Sequence, residues 1–262
     1  GAVAGTIGID HETYRLDFDY GGALDATSYF HVGGFYRTGE GVRDTGFNGK
    51  EGGQIKANLT TEFDGGYIRV HGKYLDDSTP TILPQPVAVT GTDSDPDYTA
   101  IANFDPRTAS LYSRYIPAAR TLDGDNNPTT YDIHDGLSVK SAAFGVEAEV
   151  EFAPGWTLTN RFRYADNSGS FVSPFPASVG DAQAIADGIG GAGSSIVLAS
   201  GPDAGQAVAN PATLGGNGLL TNVVLFNVRL NDLDYLVNDL RVAKDFDVGS
   251  GSATFTAGFY GS

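Results

Sequence analysis

The chain has 262 residues, a formal net charge of -16, 36 glycines, many Tyr and Phe, and only 18% charged residues. So acidic a chain, with no Lys/Arg cluster, is excluded as a nucleic-acid binder. The lack of Cys excludes a disulfide framework, a thiolate metal site and a Cys nucleophile.

No run of about 18 apolar residues offers a transmembrane helix, but a membrane-crossing strand needs only about 9–11 alternating residues. There is no signal peptide and no Met, so the chain reads as an internal piece of a longer precursor or as a processed one.

Alternation with a period of two dominates from end to end. Val3–Ile9 is short and Gly-rich. His11–Tyr20 sets Tyr14, Leu16, Phe18 and Tyr20 against Arg15, Asp17 and Asp19. Ser28–Thr38 sets Phe30, Val32, Gly34 and Tyr36 against His31 and Arg37. The stretch 52–77 holds two alternating runs around Asp64-Gly65. One side carries Ile55, Leu59, Phe63, Ile68, Val70 and Tyr74, and the other carries Gln54, Lys56, Asn58, Arg69, His71 and Lys73.

Further on, Ser141–Phe152 sets Phe144, Val146, Ala148, Val150 and Phe152 against Glu147, Glu149 and Glu151. Trp156–Ala165 sets Trp156, Leu158, Phe162 and Tyr164 against Thr157, Thr159, Arg161 and Arg163. Asp234–Phe246 is less clean, with Asn238 and Lys244 on its apolar side. Ser252–Tyr260 closes the series. Nine candidate strands result, with little helix.

The connections alternate in length. Gly21–Thr27, Asp64-Gly65, Ala153-Pro154-Gly155 and Asp247–Gly251 are tight, whereas 39–51, 77–137 and 167–232 are long. The fold expected is all-β, an antiparallel up-and-down meander elaborated at one end. Asp-Gly suits a two-residue type I′ turn, which pairs Phe63 with Gly66, Leu59 with Val70 and Ile55 with Tyr74. A three-residue loop at 153–155 would pair Phe152 with Trp156 and Glu147 with Arg161.

Three features favour lipid over a protein core on the apolar side. Aromatics mark both its ends: Tyr20, Phe63, Phe152, Trp156 and Phe246 by the tight turns, and Tyr36, Tyr74 and Tyr164 by the long loops. Charge sits at mid-strand on the polar side, where Lys56 opposite Lys73 would repel across a dry interface. Loops of about sixty residues are foreign to a compact soluble domain but ordinary outside a membrane barrel.

The runs HETYRLDFDYGG (11–22), YFHVGGFYRTGEGVRDTGF (29–47) and GGQIKANLTTEFDGGYIRVHGKYLDD (52–77) resemble early barrel strands of TonB-dependent outer-membrane receptors of the proteobacterial type. FPASVGDAQAIADGI (175–189) and LVNDLRVAKDF (236–246) resemble a later loop and strand of the same family. The resemblance covers most of the chain.

It implies a 22-stranded barrel around an N-terminal plug that contacts the energy-coupling protein TonB. Such receptors import scarce ligands of the siderophore, vitamin or oligosaccharide class. Residues 1–262 would then be one partial transmembrane barrel domain without the plug, so contact with TonB would run only through that absent segment. Its end, Gly258-Phe259-Tyr260-Gly261-Ser262, lacks the terminal aromatic of a last barrel strand. Alone it would leave two unpaired edges and transport nothing.

On this reading Arg15, Arg37, Lys56, Arg69, His71, Lys73, Arg161 and Arg163 line the lumen or meet the plug. Tyr98, Phe104, Arg107, Tyr112, Arg114 and Tyr115 form candidate ligand contacts in the extracellular loop 77–137, because aromatics with Arg are common in binding surfaces, although packing of the loop on itself explains them equally well. Asp93, Asp95 and Asp97, with Asp123 and Asp125, have a spacing that could grip Ca²⁺. Pro128 stands where a calcium loop needs Gly, so solvated turns explain them better.

Val179, Ala182, Ile185 and Ala186 have helical spacing with Gly188 as a possible cap. The histidines 11, 31, 71 and 134 are scattered, and no Ser-His-Asp or paired-acid pattern emerges, so no enzyme and no cofactor are expected. The partners expected are outer-membrane lipid and a small-molecule or oligosaccharide ligand. A plugless porin-type channel and a soluble β-rich adhesin-like sandwich remain the alternatives.

Overall fold

A computed structural model describes residues 1–262. In chain order the elements are β1 (Ala2–Ile7), β2 (Glu12–Ala23), β3 (Ser28–Gly41), β4 (Lys50–Phe63), β5 (Gly66–Thr79), β6 (Ala88–Thr92) and β7 (Asp95–Thr99). Then follow β8 (Ala118–Leu122), β9 (Pro128–Asp132), β10 (Leu137–Ala153), β11 (Trp156–Asp181), α1 (Ala182–Gly190), β12 (Leu219–Leu230), β13 (Tyr235–Val248) and β14 (Gly251–Gly261). The protein is all-β. Nine strands form one antiparallel meander in the order β1-β2-β3-β4-β5-β10-β11-β13-β14, with β1 and β14 as its edges.

The registers follow from alternation. Around Asp64-Gly65, Phe63 faces Gly66, Leu59 faces Val70 and Ile55 faces Tyr74, but only Gly65 takes a positive φ (87°), so the turn is not the type I′ expected, which needs positive φ at Asp64 as well. Glu147 faces Arg161 as its spacing predicts. The turn beyond them is tighter than a three-residue loop. Ala153, not Phe152, faces Trp156, and the register shifts by one residue between Glu151 and Ala153. Phe152 is thus the extra residue of a bulge, and its ring still leans on Trp156 at a centroid distance of 6.2 Å.

The long connections are not plain loops. Residues 77–137 hold two small hairpins, β6–β7 and β8–β9. Beyond Ala165, β11 continues for another sixteen positions to Asp181, and β12 folds back along this extension. Pro174 and Pro176 argue against a strand there, since proline cannot donate to a ladder. The ladder accommodates them with a register shift between Pro176 and Ser178.

The helix begins later than its apolar spacing suggests. Val179 still belongs to β11, Asp181 caps α1 by accepting from the Ala184 N–H at 2.9 Å, and Gly191 rather than Gly188 ends it, at φ 96°.

Only 16 residues are buried, and the largest of them lie among the long connections. Tyr112, 2% exposed, accepts from the Thr81 N–H at 3.1 Å and donates to the Val172 carbonyl at 2.8 Å. Phe47 of the 39–51 loop stacks on His134 at 3.7 Å, and Arg43 donates to the Pro106 carbonyl at 2.6 Å. Asn217 donates to the Ala102 carbonyl at 2.9 Å, and Asn103 to the Gly216 carbonyl at 2.6 Å. The three long connections therefore pack on one another at one end of the sheet.

Candidate functional site

The sheet has two unlike faces, and strand parity assigns every side chain to one of them. One carries Tyr14, Leu16, Tyr36, Ile55, Leu59, Phe63, Ile68, Val70, Tyr74, Phe144, Trp156, Tyr164 and Leu240, all left exposed. No other element covers this face. Its apolar stretch spans about nine residues per strand, such as 55–63 and 66–74. Above it the same face turns polar, through Glu51, Asp76, Ser78, Ser138, Lys140, Ser168 and Ser170.

Tyrosines mark that boundary. Tyr164 donates its hydroxyl to Asp234 at 2.9 Å, Tyr36 to Glu51 at 3.1 Å, and Tyr74 to Asp76 at a long 3.5 Å. At the tight-turn end, Lys244 lies over the rings of Trp156 (5.5 Å) and Phe246 (5.8 Å) while its ammonium donates to the Pro154 carbonyl at 2.7 Å. Its stem thus covers apolar surface and its head leaves it. Asn238, the other irregularity, accepts a 2.8 Å bond from Asn160 on the same face, so its carbonyl oxygen has a partner there.

The opposite face is charged at mid-strand. Glu147 on β10 is the hub of one row. Arg161 donates to it at 3.2 Å from β11, Arg69 approaches at 3.5 Å from β5, and the Tyr67 hydroxyl donates at 3.1 Å. Arg69 also donates to Thr60 at 2.8 Å. Arg37 grips Asp77 with two bonds of 2.8 and 2.5 Å, and Arg15 grips Asp17 at 2.8 and 2.6 Å while lying 3.9 Å from the Phe35 ring centre. His31 bonds to Asp19.

Lys56 faces Lys73 across β4–β5, as expected from the hairpin register. These two, with Asn58, His71 and Arg163, line an open recess of about 370 Å³. All eight basic residues singled out from the sequence therefore lie on this polar face. Four join carboxylates, and four gather around the recess.

The loop candidates do not form one site. Tyr112 is an internal anchor rather than a surface contact, a correction that its position among Thr81 and Val172 imposes. Phe104 lines a small apolar cleft of about 130 Å³ with Ile101, Leu111, Val179 and Leu219. Arg107 folds back on its own Asp105 at 2.8 Å, and this guanidinium with its N–H holds the Asp105 carboxyl at about 2. Arg114 donates its N–H to the Thr45 carbonyl at 3.1 Å, while Tyr98 and Tyr115 are exposed.

The paired aspartates are turn formers. Asp123 accepts from the N–H groups of Asp125 (2.9 Å) and Asn127 (2.8 Å), which lowers its pKa. Asp93 is the first residue of the two-residue β6–β7 turn, whereas Asp95 and Asp97 are strand residues. No three His or acidic side chains converge as metal ligands.

Sequence reasoning missed the tyrosine–carboxylate bonds and the polar cap above the apolar band. Both were present as the spacing Tyr74-x-Asp76 and as alternating Ser and charged residues at 138–140 and 168–170. No helix is long and apolar enough to cross a membrane, which says nothing of strands. No family model matches the chain, and no curated protein matches it.

Proposed function

We propose that this chain is part of the barrel wall of a TonB-dependent outer-membrane receptor, an active transporter of scarce ligands. The carrying observation is the exposed apolar face, about nine residues deep and bounded by aromatics. Burying that much apolar surface in water-free surroundings is strongly favourable, and no protein element here does it. Lipid would, with the tyrosine–carboxylate pairs at one headgroup level and Trp156, Phe246 and Lys244 at the other.

In this reading the charged face looks into an aqueous lumen, the tight turns are periplasmic and the packed connections extracellular. The sheet's two free edges pair with further strands of the same barrel. Arg15, Arg37, Lys56, Arg69, His71, Lys73, Arg161 and Arg163 line the path or meet the plug. The chemistry is binding and release only, driven by the energy of the inner membrane.

Uptake by cells carrying the full reading frame tests this. It should stop when the proton-motive force is collapsed by an uncoupler. Uptake that persists would instead support a passive porin-type channel, to which the same exposed face and wet lumen belong.

A further inference from the structure

Lys56, His71, Lys73 and Arg163 share one recess and no carboxylate. Lys56 and Lys73 are directly opposed on neighbouring strands, an arrangement that repels unless something neutralises it. The acids that could do so are engaged elsewhere. Asp17 is held by Arg15, Asp19 by His31, Asp77 by Arg37, Asp239 by Arg241, and Glu147 by Arg69 and Arg161. Glu62, Glu149 and Glu151 lie at the tight-turn end, at least four positions farther down the strands than this group. On the polar face the four remain together without a carboxylate partner, whereas Arg15, Arg37, Arg69 and Arg161 each have one.

The floor of the recess is built to leave room. Lys73 faces Ala143, which faces Ala165, so two small residues separate the lysine pair from Tyr235. Arg163 lies 5.6 Å from the Tyr235 ring centre, which holds its guanidinium at the rim. The His71 ring rests on Gly145, where a Cβ would come within 2.3 Å of Nε2. Lys, Arg and imidazole donors thus converge on about 370 Å³ of open space.

We infer that this recess binds a small multivalent oxyanion, one carrying clustered carboxylate or phosphate groups. Such a ligand accepts charge-assisted hydrogen bonds from several donors at once and relieves the Lys56–Lys73 repulsion. The site itself rests on these charges alone. That its anion is cargo, making the imported ligand anionic, rests on the receptor reading.

The test is calorimetric titration of the protein with inorganic pyrophosphate and with propane-1,2,3-tricarboxylate, using glucose as a neutral control. Both anions should bind and glucose should not. K56Q/K73Q should weaken binding at least tenfold, and R163Q severalfold. K140Q, which removes a cation already paired with Asp76 at 3.3 Å, should change it less than twofold.

Equal affinities for wild type and K56Q/K73Q, or equal weakening by K140Q, would overturn the site. If K56Q/K73Q does not fold, R163Q alone decides by the same criterion. Detergent dependence is recorded in parallel. Binding by a protein that folds in plain buffer would keep the anion site and sink the receptor reading, whereas a membrane-inserted protein that binds neither anion would do the reverse.

Discussion

The Tyr164 hydroxyl donates to the Asp234 carboxylate at 2.9 Å, joining the last ring of the apolar band to the first acid beyond it. Asp234 also accepts from the Asn167 N–H at 3.1 Å, so one carboxylate ties β11 to the start of β13. Y164F keeps the ring and loses the bond. Because the pair is exposed, the cost expected is only about 0.5–1 kcal/mol. Y164A also removes the ring and should cost more. Denaturant titration of the detergent-solubilised protein would rank the two.

Glu147 stands between Arg69 and Arg161. E147Q would leave two guanidinium groups facing each other without the charge that separates them. With partly exposed partners the expected destabilisation is about 1–2 kcal/mol. E147Q/R161Q should recover part of it, because one of the two unneutralised cations is then gone. A double-mutant cycle on unfolding free energies measures that recovery, and strict additivity would speak against the hub.

Gly145 is where His71 needs space. An added Cβ would sit 2.3 Å from its Nε2 and 2.9 Å from the Phe162 carbonyl oxygen. G145A should cost about 1–3 kcal/mol through overpacking. H71A in the same chain should relieve only part of that, since the backbone clash persists. Chemical shifts of the His71 ring would show its displacement in G145A.

Tyr112 holds the long connections to the sheet extension. Y112F leaves a buried N–H and a carbonyl without their partner, worth about 1–3 kcal/mol locally. Limited proteolysis should cut within 77–137 sooner in this variant, while the thermal unfolding of the sheet stays near wild type. Unchanged cleavage would remove Tyr112 as an anchor.

Asp105 supplies a pH prediction outside the sheet. Its pKa is lowered from 3.8 to about 2 by the Arg107 side chain and N–H. A depressed carboxylate stabilises the fold above the unfolded value, and that contribution is lost as pH falls through about 2. In R107A the carboxyl should titrate closer to its ordinary value, readable from carboxyl-carbon chemical shifts between pH 1.5 and 6. No difference between the variants would dissolve the pair.

The meander and its two faces were legible because each strand records its environment in a strict alternation, and because Asp64-Gly65 fixes its own register. The bulge at Phe152 was not, since a one-residue shift leaves Glu147 opposite Arg161 in either case. The extension of β11 was hidden by Pro174 and Pro176, which locally oppose a strand that only pairing with β12 stabilises. Tyr112 read equally as a binding residue or as loop packing, because an aromatic beside Arg looks alike whether it meets a ligand or Val172. The basic residues of the polar face were legible by parity. Which of them keep a counter-ion was not, because the partner lies on the same strand for Arg15, on the neighbouring strand for Arg69 and Arg161, and two strands away for Arg37.

Trp156 is the only tryptophan and sits on the apolar face at its tight-turn edge, so it reports directly on what covers that face. The decisive measurement is its fluorescence in bilayers containing lipids brominated at shallow or deep acyl positions. The account predicts blue-shifted emission, quenched most by bromines near the headgroup. Emission unaffected by bromine, from a chain that folds fully in buffer without detergent or lipid, would contradict it.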